Sequence, residues 1–178
     1  ETGKFDVNRK HAGMLNFTPL HISCSRGNVG LFDLLTRRCD AKVDAKDVEG
    51  RTALHHSAYH GLSDVCRRLI DDLHCDVNIA DNAGVTALHI AAWKGRKVIC
   101  ELLLSSPSIN ISCQDEHGLT PLHYASIYRA DDIVPLLSPT KMLSICNCMG
   151  QSALTVASAL GNDVQVENML KYASGLID

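Results

Sequence analysis

The chain has 178 residues, 46% of them hydrophobic and 21% charged, with a formal net charge of −3 and a pI of about 6.3. That length holds one ordinary domain or one short solenoid, and the balance of residues supports a packed core over a disordered segment. The mild acidity lacks the basic surplus of a phosphate-gripping surface, and no apolar run approaches the roughly 18 residues that cross a bilayer. Neither nucleic-acid nor membrane contact is expected.

In chain order, Glu1-Thr2-Gly3 matches nothing that follows and reads as a vector-derived remnant, leaving 4–178 as a single domain. Residues 4–13 carry Asp6-Val7-Asn8, similar to Asp76-Val77-Asn78 further along, but form no complete unit. Thr18-Pro19-Leu20-His21 then opens a pattern that returns as Thr52-Ala53-Leu54-His55, Thr86-Ala87-Leu88-His89 and Thr120-Pro121-Leu122-His123, and more weakly as Ser152-Ala153-Leu154-Thr155. The starts at 18, 52, 86, 120 and 152 are spaced 34, 34, 34 and 32 residues apart. Asp47-x-x-Gly50, Asp81-x-x-Gly84 and Asp115-x-x-Gly118 precede three of these signatures, and Gly27, Gly61, Gly95 and Gly161 each lie nine residues after a signature begins.

Each feature has a physical reason. The leading Thr suits an N-cap, and Pro suits the first helical position, where its missing N–H costs nothing. Leu20, Leu54, Leu88, Leu122 and Leu154 supply buried contacts, and small pairs such as Ser57-Ala58 and Ala91-Ala92 let short helices approach. The glycines permit a left-handed residue at the end of the first helix. A second helix follows with apolar spacing, as in Val65, Leu69 and Ile70 or Val98, Leu102 and Leu103. One such helical hairpin cannot bury its own apolar face, so neighbours must stack.

This pattern resembles the ankyrin repeat family, whose unit of about 33 residues carries a Thr-Pro-Leu-His signature. The resemblance spans about residues 13–178. It implies an all-α solenoid of about five helix-turn-helix repeats joined by hairpin-like loops, with repeats near 13–46, 47–80, 81–114, 115–146 and 147–178. It also implies that the signature histidines bond backbone between repeats and do not serve as ligands or bases.

The departures from the pattern are local. Repeats 1 to 3 run one residue long, in the stretch after the second helix, and Asp71-Asp72-Leu73-His74-Cys75 lacks the usual Gly there. In repeat 4, Arg129 stands where others have Gly, and Pro135 falls early in the second helix. These changes predict an altered helix tilt or a tolerated drift. Repeat 5 has Thr155 in place of His, and its Val164, Val166, Met169 and Leu170 read as core-forming. It fits either a degenerate terminal repeat or an inner one.

No catalytic constellation emerges. There is no phosphate-binding glycine loop, no His-Glu-x-x-His, no Gly-x-Ser-x-Gly and no Cys-x-x-Cys. The eight cysteines read as reduced structural thiols, and Cys24 has no paired base. His56 and His60 have zinc-compatible spacing but no third ligand in their repeat. Asn16-Phe17-Thr18 and Asn110-Ile111-Ser112 match the glycosylation acceptor pattern by accident if the chain is cytosolic. The expectation is a cytoplasmic or nuclear protein with no enzymatic activity, cofactor or metal, and a monomer is favoured.

The resemblance places a partner on the hairpin tips and the exposed side of the first helices, which line a concave face. Carried over position by position, the pair before each closing Gly supplies Arg26, Tyr59, His60, Trp93, Lys94, Ile127 and Tyr128. The residue ahead of the signature supplies Arg51, Val85 and Leu119. Trp93, the only Trp, follows Tyr59 by 34 residues and precedes Tyr128 by 35, one such ring in each of three successive repeats, and such residue types concentrate at hot spots. The competing reading makes these rings stack filler. As a strip flanked by Arg51, His60 and Lys94, they suit a partner segment with apolar anchors and some acidic character. The basic pairs Arg37-Arg38, Arg67-Arg68 and Arg96-Lys97 read as solvated faces. The expected function is a protein- or peptide-binding adaptor or scaffold module within a larger protein. The alternative is a structural spacer or self-associating array, including the cytosolic part of a channel or receptor.

Overall fold

Each signature starts a short helix in the computed structural model of the chain, which describes residues 6–11, 13, 15–138 and 142–174. Residues 1–3, read above as a remnant, lie outside the described residues. The first helices are α1 (Pro19–Ser25), α3 (Ala53–His60), α5 (Ala87–Trp93), α7 (Pro121–Ile127) and α8 (Ala153–Ala159). The second helices are α2 (Val29–Arg38), α4 (Ser63–Arg67), α6 (Lys97–Leu104) and α9 (Asp163–Ala173). The first helices pack in series, α1 on α3, α3 on α5, α5 on α7 and α7 on α8, each with its own second element alongside. The result is an all-α repeat solenoid.

The serial packing works because the interface residues are apolar and small. Leu20, Leu54, Leu88 and Leu122 are buried, and Ala58, Ala91, Ala92 and Ala125 let the helices meet closely. Second helices add Phe32, Leu35, Val65, Leu69, Ile99 and Leu103. Four residues depart from the expected core. Val98 faces solvent because Ile99, Cys100, Leu102 and Leu103 form the inner face of α6. Leu154 is half-buried and Val164 exposed, since among the described residues no helix stacks beyond α8 and α9. Leu170 is exposed for the same reason, while Met169 is fully buried.

Fingers between the helix pairs join into a ladder. Val48 N–H donates to the Leu15 carbonyl, Asn82 to Glu49, Glu116 to Ala83 and Cys148 to His117, each at 2.9 Å. Gly84 sits at a tip with φ 81°, and a Cβ there would lie 2.9 Å from the Asp115 Cα of the next finger. Left-handed backbone and close approach both demand glycine.

The irregular segments show how the extra and missing residues are absorbed. After α4 the chain widens into a π-helical turn over Arg68–Asp72, in which Leu73 N–H reaches the Arg68 carbonyl at 3.0 Å. That turn takes up the additional residue, and His74 at φ 50° supplies the left-handed exit that lacks a glycine. In the fourth unit Pro135 prevents an α-helix. The chain forms only a 3₁₀ turn, Val134–Leu137, which still buries Val134 and Leu137 beside Ile133. Gln165 of α9 reaches across, its amide donating to the Asp131 carboxylate at 2.8 Å and the Ala125 carbonyl at 3.2 Å. Arg129 adopts φ 56° where the other units use glycine.

Two substitutions test these points. Gly84→Ala should lower stability by about 2 kcal/mol, read from urea unfolding followed by circular dichroism. Arg129→Gly should raise it by about 1 kcal/mol, because a left-handed non-glycine residue is relieved; an unchanged midpoint would place no strain at that turn.

Candidate functional site

The finger side of the stack is built from the turns upward. In each finger a carboxylate or amide oxygen holds the turn: Asp47 Oδ1 accepts from the Glu49 and Arg51 N–H groups, both at 2.9 Å. Asp81 Oδ1 does the same for Ala83 and Val85, Asp115 for His117 and Leu119, and Asn147 for Met149 and Gln151. The turn then leads into the N-cap of the next first helix.

At that cap the expected threonine role is joined by the histidine. His55 Nδ1 accepts from the Thr52 N–H at 3.1 Å and lies 3.0 Å from Thr52 Oγ1. Its Nε2 donates to the Val85 carbonyl of the next finger at 3.1 Å. A backbone N–H can only donate and a carbonyl can only accept, so the ring is the neutral Nε2–H tautomer. His21, His89 and His123 repeat the arrangement onto Arg51, Leu119 and Gln151. The sequence expectation that these histidines bond backbone between repeats is met in all four units. Burial pushes their pKa values down, that of His55 to about 4.

The second oxygen of each finger carboxylate has a different fate. His56 Nε2 donates to Asp47 Oδ2 at 2.9 Å, and the Tyr124 hydroxyl donates to Asp115 Oδ2 at 3.0 Å. In the unit between them, Ile90 occupies the corresponding place and offers no donor. Among the described residues, Asp81 Oδ2 has only Arg51 Nε, at 3.4 Å.

On the exposed side of the first helices, the three predicted aromatics form one row. Ring centroids are 5.8 Å apart for Tyr59 and Trp93, edge to face, and 5.6 Å for Trp93 and Tyr128. Tyr59 is 42% exposed and Tyr128 51%, whereas Trp93 between them is half-buried. Lys94 Nζ lies 4.2 Å from the Tyr59 ring centroid and 3.9 Å from that of Trp93. An ammonium over two ring faces is held by their quadrupoles.

Of the predicted set, Arg51, Tyr59, His60, Val85 and Trp93 line one cleft of ≈ 400 Å³, together with His55, His56, Asp81, Ala83, Ile90 and Tyr124. Lys94 and Tyr128 flank it through their contacts with the rings. Arg26, Leu119 and Ile127 lie outside the cleft; Arg26 is exposed, while Leu119 and Ile127 are half-buried. Sequence reasoning missed Asp81, Ile90 and Tyr124. Comparing the residue nine places after each finger Asp (His56, Ile90, Tyr124) was the signal that could have found them.

Among the described residues no group of three His, Cys, Asp or Glu side chains is placed to hold a metal ion. His56, considered above as half of a zinc pair, is committed to Asp47. The eight cysteines are free thiols, and burial pushes those of Cys66, Cys75 and Cys100 up to about 12. Cys24, Cys66 and Cys100 fill space between helices, as small buried thiols do. No described helix is long and apolar enough to cross a membrane.

Stacked helical hairpins with fingers projecting to one side define a solenoid repeat protein. The family model described as ankyrin repeats (3 copies) matches residues 3–81 and 20–115, more than half of the chain, which therefore belongs to the ankyrin repeat family. Members of this family are generally protein–protein interaction modules and typically not enzymes.

The neutral histidines carry a pH dependence. Unfolded, His55 takes up a proton near pH 6.5, whereas folded it does so only near 4, so acid favours the unfolded chain. Its contribution is fully present above pH 6.5, is lost as pH falls towards about 4, and amounts to about 3 kcal/mol at neutral pH. Urea midpoints should fall across that window, and His55→Gln should flatten the decline; a midpoint constant from pH 7 to about 4 contradicts the assignment.

Proposed function

We propose that the chain binds a segment of a partner protein along its concave face, across the Tyr59–Trp93–Tyr128 row. The observation that carries this reading is the row itself: three aromatic rings from successive first helices, in mutual contact and open to solvent on one side. Rings already fixed by one another and by Lys94 lose little freedom when a partner covers them, which is why such residues dominate binding energies. Arg51 and Lys94 border the strip with positive charge, with His60 beside them. A complementary segment therefore offers apolar anchors and acidic neighbours. Arg26, Val85, Leu119 and Ile127 extend the same face. The module serves as an adaptor or scaffold within a larger protein, in the cytoplasm or nucleus, and acts as a monomer.

Selection from a random peptide library displayed on phage tests the proposal and requires no named partner. Enriched peptides should carry apolar and acidic residues. Their affinity should fall more than about tenfold on Trp93→Ala or Tyr128→Ala, with helical circular dichroism and melting retained. Peptides insensitive to both variants would place recognition elsewhere. If Trp93→Ala unfolds the stack, Tyr128→Ala, at a more exposed ring, decides the question.

A further inference from the structure

We infer that the gap at the third finger is an anchor pocket for a tyrosine side chain of the partner, with its phenol hydroxyl donating to Asp81 Oδ2. The inference rests on the concave-face reading and specifies its chemistry.

Three fingers present the same carboxylate, and in two of them a ring-borne donor from the following helix satisfies the second oxygen: His56 on Asp47 and Tyr124 on Asp115, at 2.9 and 3.0 Å. The middle unit has Ile90 at that place, so its carboxylate lacks the equivalent donor. The Asp81 side chain is only 5% exposed, and its Oδ2 has a single distant contact, Arg51 Nε at 3.4 Å. A carboxylate oxygen has two lone pairs and accepts a second, better-placed donor beside Arg51. A desolvated acceptor short of a partner is costly, and a ligand that supplies the donor recovers that cost.

The space next to this oxygen has the matching shape and lining. The cleft of ≈ 400 Å³ has Tyr59, Trp93 and Tyr124 as aromatic walls and Val85 and Ile90 as apolar surfaces. That volume lies within the range of small-ligand sites, where apolar walls and a few polar groups fix orientation. A ring entering it meets rings edge-on or offset, the arrangement aromatic pairs prefer. The cationic Arg51 and Lys94 disfavour an imidazolium or a basic side chain and leave a neutral ring with a hydroxyl. Tyrosine meets each condition, and phenylalanine meets all but the hydrogen bond.

N-acetyl-tyrosinamide and N-acetyl-phenylalaninamide are the probes, titrated into the ¹⁵N-labelled chain. Trp93 is the only tryptophan, so its indole N–H resonance is a unique reporter inside the cleft. The tyrosine probe should shift it saturably and bind at least about tenfold more tightly than the phenylalanine probe, a gap typical of one hydrogen bond to a charged group. Asp81→Asn should erase that preference; Asn147 already holds the same turn in the fifth unit, so the finger is retained. Ile90→Tyr should close the pocket as Tyr124 does in the next unit and abolish binding of both probes. Equal binding of the two probes to the parent chain, or a preference that survives Asp81→Asn, overturns the inference. Library peptides that depend on Trp93 but not on Asp81 overturn the pocket alone and leave the concave-face reading standing.

Discussion

Each signature histidine ties two units together through one imidazole. Nδ1 closes the N-cap of its own helix, and Nε2 reaches a carbonyl in the next finger, 3.0 to 3.1 Å away in all four copies. Because the ring is neutral and buried, the bond joins units without burying a charge. It sets the offset between each helix and the following finger. The finger ladder, the helix stacking and the alignment of Tyr59, Trp93 and Tyr128 all follow from that offset. The fifth unit has Thr155 instead, whose hydroxyl closes its own cap with Ser152 but has no ring to reach onward.

With the offset set on the finger side, the second helices are free to vary. One is extended by a π turn, one is reduced to a 3₁₀ turn, and the first helices continue to stack regardless. The division has a physical origin. Backbone hydrogen bonds between fingers require a strict register, whereas apolar packing at the outer layer requires only that volume be filled. Ile133, Val134 and Leu137 fill it from a 3₁₀ turn, and Gln165 closes the remaining polar gap by reaching from the next unit.

The finger side of the first helices inherits its order from the same register. Tyr59 and Trp93 hold equivalent positions and arrive side by side, Tyr128 one place further along its unit extends the row, and Lys94 can cover two rings from different units. A single change at an equivalent position also becomes a local vacancy, as Ile90 does between His56 and Tyr124. Both the shared surface and its distinctive pocket thus come from a regular frame carrying irregular side chains, which is how one fold serves many partners.

From the sequence alone, the repeat spacing, the caps and the left-handed glycines were legible, because each rests on short-range geometry within one unit; the histidine bonds to the next unit were implied by the family resemblance. The pairing of Tyr59 with Trp93 was legible too, since a spacing of 34 residues maps onto equal position, whereas Tyr128 joins the row from one place further on, at the end of α7. Other features were not. That Arg68–Asp72 would form a π turn depends on how α4 meets its neighbours, and the loss of the helix after Ile133 depends on what else could fill its place. That Val98 turns outward and Leu154 stays half-covered is decided by which faces find a neighbour. The Asp81 vacancy is a relation between three units, seen only when the fingers lie side by side. The frame is local in sequence; the pocket is a property of the stack.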